Sequence, residues 1–292
     1  MERVPLRLAI VEATRVLAEA GVASPGVDAE LLAAHVLDTP RGRLGLTPLV
    51  DPATADRFRA LVARRADRIP LQHIVGSAAF GPIEVLVGPG VFTPRPETEH
   101  LLEYALRVLD SRPRPVVLDL CTGSGALALA VAAERPDAVV HAVERDPAAL
   151  AWARRNVDRR ADLGDTPVRL HHGDVTDRAL LPSLDGAVDL VLANPPYVPD
   201  DAELEPEVRE HDPHAALFGG PDGLAVIEPM LGSIARWVRV GGHLAIEHDD
   251  SHADGVVALV RRRSVFGDVV AHRDLAGRPR YVSATRVTRA AR

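Results

Sequence analysis

Val116-Val117-Leu118-Asp119-Leu120-Cys121-Thr122-Gly123-Ser124-Gly125 is an apolar run that ends on a short glycine-bearing turn, and the alanine- and leucine-rich stretch after it has the composition of a helix. An apolar run without polar alternation, bounded by a turn, reads as a strand buried on both faces. Strand, tight turn and helix in that order open a parallel β-α-β unit. The pattern then repeats. Residues 138–143 form a second run that ends on Glu144, residues 168–171 lead to Gly173-Asp174, and residues 188–193 lead to Asn194-Pro195-Pro196-Tyr197. A helix around 224–238 precedes Gly241-Gly242 and a strand at 243–247, and strands near 269–272 and 280–285 are expected to finish the sheet in antiparallel sense. The fold class is α/β, a mostly parallel sheet of seven strands with helices on both faces.

Ligands of such sheets bind beyond the carboxyl ends of the strands, near the topological switch point. Chemistry-bearing residues collect at those ends here. Gly123 and Gly125 let the backbone approach a ligand closely. Glu144, about twenty residues after the glycines, is placed to accept from ribose hydroxyls, and Asp174 to accept from an adenine amino group. Together they describe a nucleoside site. Cys121 replaces the first glycine of the dinucleotide fingerprint, which disfavours a dinucleotide.

Asn194-Pro195-Pro196-Tyr197 supplies the second half of the site. The chain holds two asparagines, one glutamine and no lysine, so an asparagine at the end of a core strand stands out. The prolines after it have no N–H to donate. The Asn194 side-chain oxygen and the Pro195 carbonyl are therefore expected to offer two acceptors side by side to a planar –NH2 group, with the Tyr197 ring beside it.

Asp119-Leu120-Cys121-Thr122-Gly123-Ser124-Gly125 resembles the first motif of class I S-adenosylmethionine-dependent methyltransferases, whose fold is Rossmann-like. With Asn194-Pro195-Pro196-Tyr197 and the segment Thr93-Pro94-Arg95-Pro96-Glu97-Thr98-Glu99, the chain resembles the protein-glutamine N5-methyltransferases that modify class 1 peptide chain release factors. The late Glu247-His248 and Gly277-Arg278 segments extend the resemblance over nearly the whole chain. It departs at Cys121, where many relatives carry glycine, and at Glu144, where aspartate is common. The resemblance implies transfer of a methyl group from S-adenosyl-L-methionine to the glutamine amide nitrogen of a Gly-Gly-Gln motif. It implies cofactor binding by Asp119, Cys121, Thr122, Gly123, Ser124, Gly125, Glu144, Asp174, Val175 and Asn194. Substrate binding falls to Asn194, Pro195, Pro196 and Tyr197, with Asn194, Pro195 and Tyr197 catalytic.

The first 75 residues read as a helical bundle without a catalytic cluster, and recognition of the protein substrate is its expected use. Leu6, Ile10, Ala13 and Leu17 recur at helical spacing before a stop at Gly21, and Asp28 is expected to open a second helix. Asp51-Pro52 gives an N-cap and first-turn proline to a helix carrying Phe58, Leu61, Val62 and Ile69 and ending at Pro70. Residues 76–96 read as a hairpin linker with strands at 83–87 and 91–93, and residues 97–292 as the methyltransferase domain.

Composition narrows the remaining options. A formal net charge of −7 argues against broad binding to a phosphate backbone. It weakens the alternative that the same pocket serves a DNA adenine-N6 or ribosomal RNA methyltransferase, which would need a basic recognition region. A catalytically silent binding scaffold is disfavoured by the intact pocket residues. The single cysteine excludes an internal disulfide framework. His171-His172 would point to opposite faces of a strand, so no metal site is expected. No apolar run approaches membrane-spanning length and no signal peptide is evident, so a cytoplasmic protein is expected.

Overall fold

Leu6, Ala13 and Leu17 share one face of a helix, and that face is buried. It begins the core of the first of two compact units in the computed structural model, which describes residues 3–274 and 276–288. This unit comprises the chain up to Ser77 together with Leu204–His211. A two-residue strand β1 (Val4–Pro5) leads into α1 (Leu6–Glu19), followed by α2 (Pro25–Val36), β2 (Leu49–Val50), α3 (Pro52–Ala66) and α4 (Leu71–Val75). β1 pairs antiparallel with β2. The Asp51 carboxylate caps α3 by accepting from the Thr54 N–H at 2.9 Å.

Two expectations need correction in this unit. α2 opens at Pro25, not Asp28; Asp28 turns inward and takes a hydrogen bond from Arg65 Nε at 2.7 Å. α3 stops at Ala66, short of Pro70, because Arg68 adopts a left-handed backbone (φ 63°). Arg65 is itself buried, and it also reaches Glu207 Oε1 at 2.8 Å. Arg68 pairs with Glu205 and Glu207. A segment from far along the chain thus completes the charge balance of the helical unit. An arginine buried without such partners would be strongly destabilising.

The second unit, residues 78–203 and 212–292, contains the sheet. Its hairpin pairs β3 (Ser77–Phe80) with β4 (Ile83–Leu86). Residues 91–93, expected as a strand, are not one: Pro89 and Pro94 flank them and lack the N–H that a ladder needs. One turn of 3-10 helix, Pro96–Thr98, leads into α5 (Glu99–Leu109). Then come β5 (Val116–Leu120), α6 (Ala126–Glu134), β6 (Val139–Glu144), α7 (Pro147–Asp162), β7 (Arg169–His172) and β8 (Val188–Ala193). After the helix Ile227–Trp237 the chain forms β9 (Val238–Glu247), the helix Ala253–Arg262, β10 (Phe266–Arg273) and β11 (Pro279–Arg286). β9 starts earlier than its glycines suggest, with a register irregularity against β8 that leaves residues 239–242 unpaired there.

The sheet order is β10-β11-β9-β8-β5-β6-β7. The five strands from β9 to β7 run parallel; β11 runs antiparallel to β9, and β10, antiparallel to β11, returns to the common direction, so the antiparallel finish that the sequence suggested lies in the reversed strand β11. Alternate residues feed two cores. Val117, Leu190 and Leu192 pack with α5 and α6 on one face, and Leu118, Val191 and Ala193 pack with Ile227, Leu231 and Trp237 on the other. β5 is central, with connections leading away from it in both directions. Leu120 pairs with Ala193 of β8 and with Val143 of β6. The three turns that follow these strands therefore open side by side.

Candidate active site

Those turns line an open cleft with about 1080 Å³ of empty space, counting the part continuous with solvent. Asp119, Cys121, Thr122, Gly123 and Ser124 border it from the end of β5, and Glu144 from the end of β6. Asp174 and Val175 follow β7, and Asn194 and Pro196 follow β8. Gly125, Pro195 and Tyr197 do not line it. Gly125 stands at the start of α6 in a left-handed conformation (φ 84°). The Tyr197 hydroxyl turns away to donate to Glu247 Oε1 at 3.0 Å.

The β5 turn is held from beneath. Cys121 and Gly123 both have left-handed backbones (φ 59° and 58°), a conformation that glycine adopts freely and other residues rarely. Burial raises the pKa of the Cys121 thiol, and the carboxylates of Glu144 and Asp119 raise it further, so it stays protonated. Asp119 is buried below the turn, where the Thr122 hydroxyl donates to it at 2.5 Å. Burial lifts its pKa to about 7 against the pull of Thr122 and the Ala128 N–H. Asn156 of α7 ties the turn to the hairpin: its amide donates to the carbonyls of Ser124 and Leu86, both at 2.9 Å.

Glu144 is fixed by the main chain. Its Oε2 accepts from the Gly123 N–H at 2.9 Å, and its Oε1 from the Arg145 and Asp146 N–H groups, each at 2.8 Å. Asp174 Oδ1 accepts from the Thr176 N–H and hydroxyl at 2.8 and 2.7 Å. Burial opposes ionisation of Asp174, but Thr176 and Arg145 outweigh it and its pKa falls below the ordinary value. These acceptors, with Arg145 as the one cationic side chain among the described residues that borders the cleft, suit the hydroxyls and amino groups of a nucleoside and not a pyrophosphate. S-adenosyl-L-methionine fits this donor and acceptor set. Gly123 leaves room for it, since a Cβ at that position would meet nothing within 4 Å.

The other wall comes from residues that sequence reading did not assign. Phe92, Pro94 and Thr98 line it from the linker, and Ala215 and Ala216 from the stretch after Asp212. Arg95 braces both segments: its guanidinium lies 4.9 Å from the Phe92 ring centre and donates to Asp212 at 2.5 Å. Thr98 reaches the reactive turn, since Asn194 Nδ2 donates to its hydroxyl oxygen at 3.0 Å. The amide oxygen of Asn194 is then the atom left for a ligand. Behind them lies Glu247, whose pKa burial lifts to about 7 although the Thr98 and Tyr197 hydroxyls lower it. Tyr197 remains a phenol, its pKa raised by burial and by Glu247.

The histidine pairs do not gather into a metal centre. His141 Nδ1 and His171 Nε2 are 2.9 Å apart in the sheet, His172 meets the Arg145 carbonyl, and no cluster of three or more metal-ligating side chains occurs among the described residues.

Residues 9–76 match the family model described as PrmC N-terminal domain, and residues 83–210 the model described as Methyltransferase small domain. The release factor glutamine methyltransferase of Mycolicibacterium smegmatis (strain ATCC 700084 / mc(2)155) is 57% identical over 285 residues, covering 97% of this chain and 99% of that one. The chain belongs to the release factor glutamine methyltransferase family. The family member from Streptomyces coelicolor is 43% identical over 279 residues, covering 94% of this chain and 96% of its own length. A solved methyltransferase from Pyrococcus furiosus shares the fold, with a TM-score of 0.53 at 18% identity over 77% of this chain and 100% of that one. Membership of this family makes the chain an S-adenosylmethionine-dependent protein-glutamine methyltransferase and disfavours the nucleic-acid alternatives. No helix among the described residues is long and apolar enough to cross a membrane.

Proposed function

We propose that the cleft binds S-adenosyl-L-methionine along the ends of β5, β6 and β7, and that Asn194 presents to it the side-chain amide of the glutamine in the Gly-Gly-Gln motif of a class 1 peptide chain release factor. The observation that carries this reading is the hydrogen bond from Asn194 Nδ2 to Thr98, which leaves Asn194 Oδ1 as a free acceptor at the cleft wall. When bound, the cofactor supplies a methyl group on a sulfonium, open to direct displacement.

An amide nitrogen is a poor nucleophile because its lone pair is delocalised into the carbonyl. Acceptance of one N–H by Asn194 Oδ1 raises electron density on nitrogen and fixes its direction. Such alignment contributes on the order of 7–11 kcal/mol where the geometry is good. The second acceptor expected from the sequence, the Pro195 carbonyl, is not among the groups that line the cleft. Tyr197, held by Glu247, stiffens the same turn. Residues 1–75 are assigned a second contact with the protein substrate.

The test is mass spectrometry of a purified release factor incubated with the chain and S-adenosyl-L-methionine, with one added methyl expected on the Gly-Gly-Gln glutamine. Asn194→Ala should lower the transfer rate about 100-fold, as loss of a positioned polar group at a reacting centre typically does, and leave cofactor affinity within a few-fold. Transfer above about a tenth of the wild-type rate would sink the amide clamp.

A further inference from the structure

Ala148, Trp152, Asn156 and Arg159 stand at helical spacing on one face of α7, and the linker runs along that face in the opposite order. A Cβ added to Gly90 would lie 3.5 Å from the Ala148 Cβ, and one added to Gly88 would lie 2.7 Å from the Trp152 ring. Trp152 Nε1 donates to the Pro89 carbonyl at 3.2 Å. Asn156 Oδ1 accepts from the Leu86 N–H at 2.7 Å, and its Nδ2 donates to the Leu86 carbonyl at 2.9 Å. Arg159 closes the row by donating to Glu84 Oε2 at 3.1 Å; this pair is exposed, and such pairs hold little. The helix thus clasps the chain from Glu84 to Gly90 just before it becomes the cleft wall at Phe92 and Pro94.

Asn156 does more than hold the linker. It is 1% exposed, and its Nδ2 also donates to the Ser124 carbonyl at 2.9 Å. That carbonyl shares a planar peptide unit with the Gly125 N–H, which donates to the Thr122 carbonyl at 2.9 Å and closes the turn around Gly123. Pinning one end of the peptide therefore fixes the other. Both hydrogens of the Asn156 amide donate and its oxygen accepts. A flipped amide would set its NH2 against the Leu86 N–H and its oxygen against two carbonyls, so one orientation fits. An apolar side chain could pack α7 in place, whereas a buried amide is costly unless it is paired in this way. Asn156 does not itself line the cleft, yet its partners lead to two of its borders, Ser124 in the cofactor turn and Leu86 ahead of Gly90 and Phe92. Resting on the reading of the cleft given above, we infer that Asn156 is a positioning residue for methyl transfer, holding the cofactor turn and the linker wall at a set distance from each other.

The methyl donor lies against the first of these borders and the incoming glutamine against the second. Misplacement of a reacting group by about 1 Å can cost about 100-fold in rate. Release of the turn from the linker should therefore slow transfer even when cofactor is saturating, besides weakening its binding. Loss of the Trp152 contact frees the linker alone and leaves the Ser124 carbonyl pinned, so cofactor binding should survive it.

The experiment compares Asn156→Ser and Trp152→Phe in the full chain, with a purified release factor and S-adenosyl-L-methionine as substrates. Serine is too short to span Leu86 and Ser124. In Asn156→Ser the cofactor Kd should rise about tenfold, and kcat at saturating cofactor should fall about 10- to 100-fold. Trp152→Phe keeps a ring on Gly88, and its cofactor Kd should stay within about twofold of wild type. A second readout needs neither turnover nor substitution. Exchange of the Leu86 amide hydrogen in the wild-type chain should slow at least about tenfold when S-adenosyl-L-methionine is added at about 100 times its Kd, because the bound turn holds Asn156 in place. If Asn156→Ser fails to fold, this exchange decides. Asn156→Ser with Kd and kcat both within about twofold of wild type overturns the inference, and so does Leu86 exchange that ignores the cofactor. A Trp152→Phe variant that loses as much cofactor affinity as Asn156→Ser overturns it too, since α7 would then act by general packing. A wild-type chain that leaves the release factor unmethylated, yet shows the Kd and exchange effects, overturns the proposed substrate and upholds the hold of Asn156 on turn and linker.

Discussion

Replacement of Glu144 by alanine tests the nucleoside half of the cleft. A carboxylate offers about four lone-pair positions. Main-chain N–H groups of Gly123, Arg145 and Asp146 already occupy three of them. About one is left, on Oε2, so a ribose bound as proposed is expected to gain a single strong hydrogen bond from this carboxylate. A hydrogen bond to a charged acceptor contributes about 1.5–3 kcal/mol. At about 1.4 kcal/mol per tenfold change, Glu144→Ala should weaken S-adenosyl-L-methionine binding about 10- to 150-fold from an expected micromolar Kd. Glu144→Gln should do no better than alanine. Its one oxygen cannot serve three N–H groups, and its NH2 would face one of them. Isothermal calorimetry with S-adenosyl-L-methionine measures both variants, and thermal melting of the ligand-free proteins shows whether the β5 turn survives. A Kd within about threefold of wild type in a variant that melts normally would remove Glu144 from the cofactor site.

Gly219→Ala should lower the transfer rate and leave cofactor binding intact. A Cβ there would lie 2.6 Å from the carbonyl oxygens of Pro196 and Gly223, both backbone atoms, so the Asn-Pro-Pro-Tyr turn must shift, at a typical overpacking cost of about 1–3 kcal/mol; wild-type kcat in steady-state assays would refute this. Acid should weaken the helical unit. Burial pushes the Glu207 pKa up, but hydrogen bonds from Arg68 and Arg65 outweigh it and carry the pKa from 4.5 to about 2. A depressed carboxyl stabilises the fold above its unfolded pKa, and that contribution drains away as pH falls through the folded one. Urea titrations of wild type and Glu207→Gln should therefore differ most near pH 5 and converge toward pH 2, and curves equally far apart at both would count against the assignment.

The strands were legible because a sheet covered on both faces demands apolar runs, and the glycine turn because close backbone approach excludes side chains. Asn194 was legible as a scarce amide at a strand end. Scarcity alone was an imperfect guide, however: Asn156, the other asparagine, is 1% exposed and staples the hairpin to Ser124. Thr98 and Glu247 were quoted for their motifs without a role, since their contacts join positions 96 and 50 residues apart. No local periodicity records such a pairing. The segment 204–211 hid for the same reason. Its partner Arg65 lies 142 residues earlier. The wall made by Phe92 and Ala215 was missed because neutral side chains at a cleft look like any other packing.

The return of Leu204–His211 to the helical unit bears on how the gene can be recombined. The polypeptide crosses between the two units three times, after Ser77, after Glu203 and after His211. A chimera joined only near Ser77 would bring foreign helices to a native 204–211 segment. If those helices lacked matching charges, Glu205 and Glu207 would lose Arg68 and Arg65; if they kept a buried arginine facing a neutral segment, the cost would be about 3–5 kcal/mol. Functional chimeras within the family should therefore carry two exchanged blocks, the leading helices and the short acidic segment, inherited together.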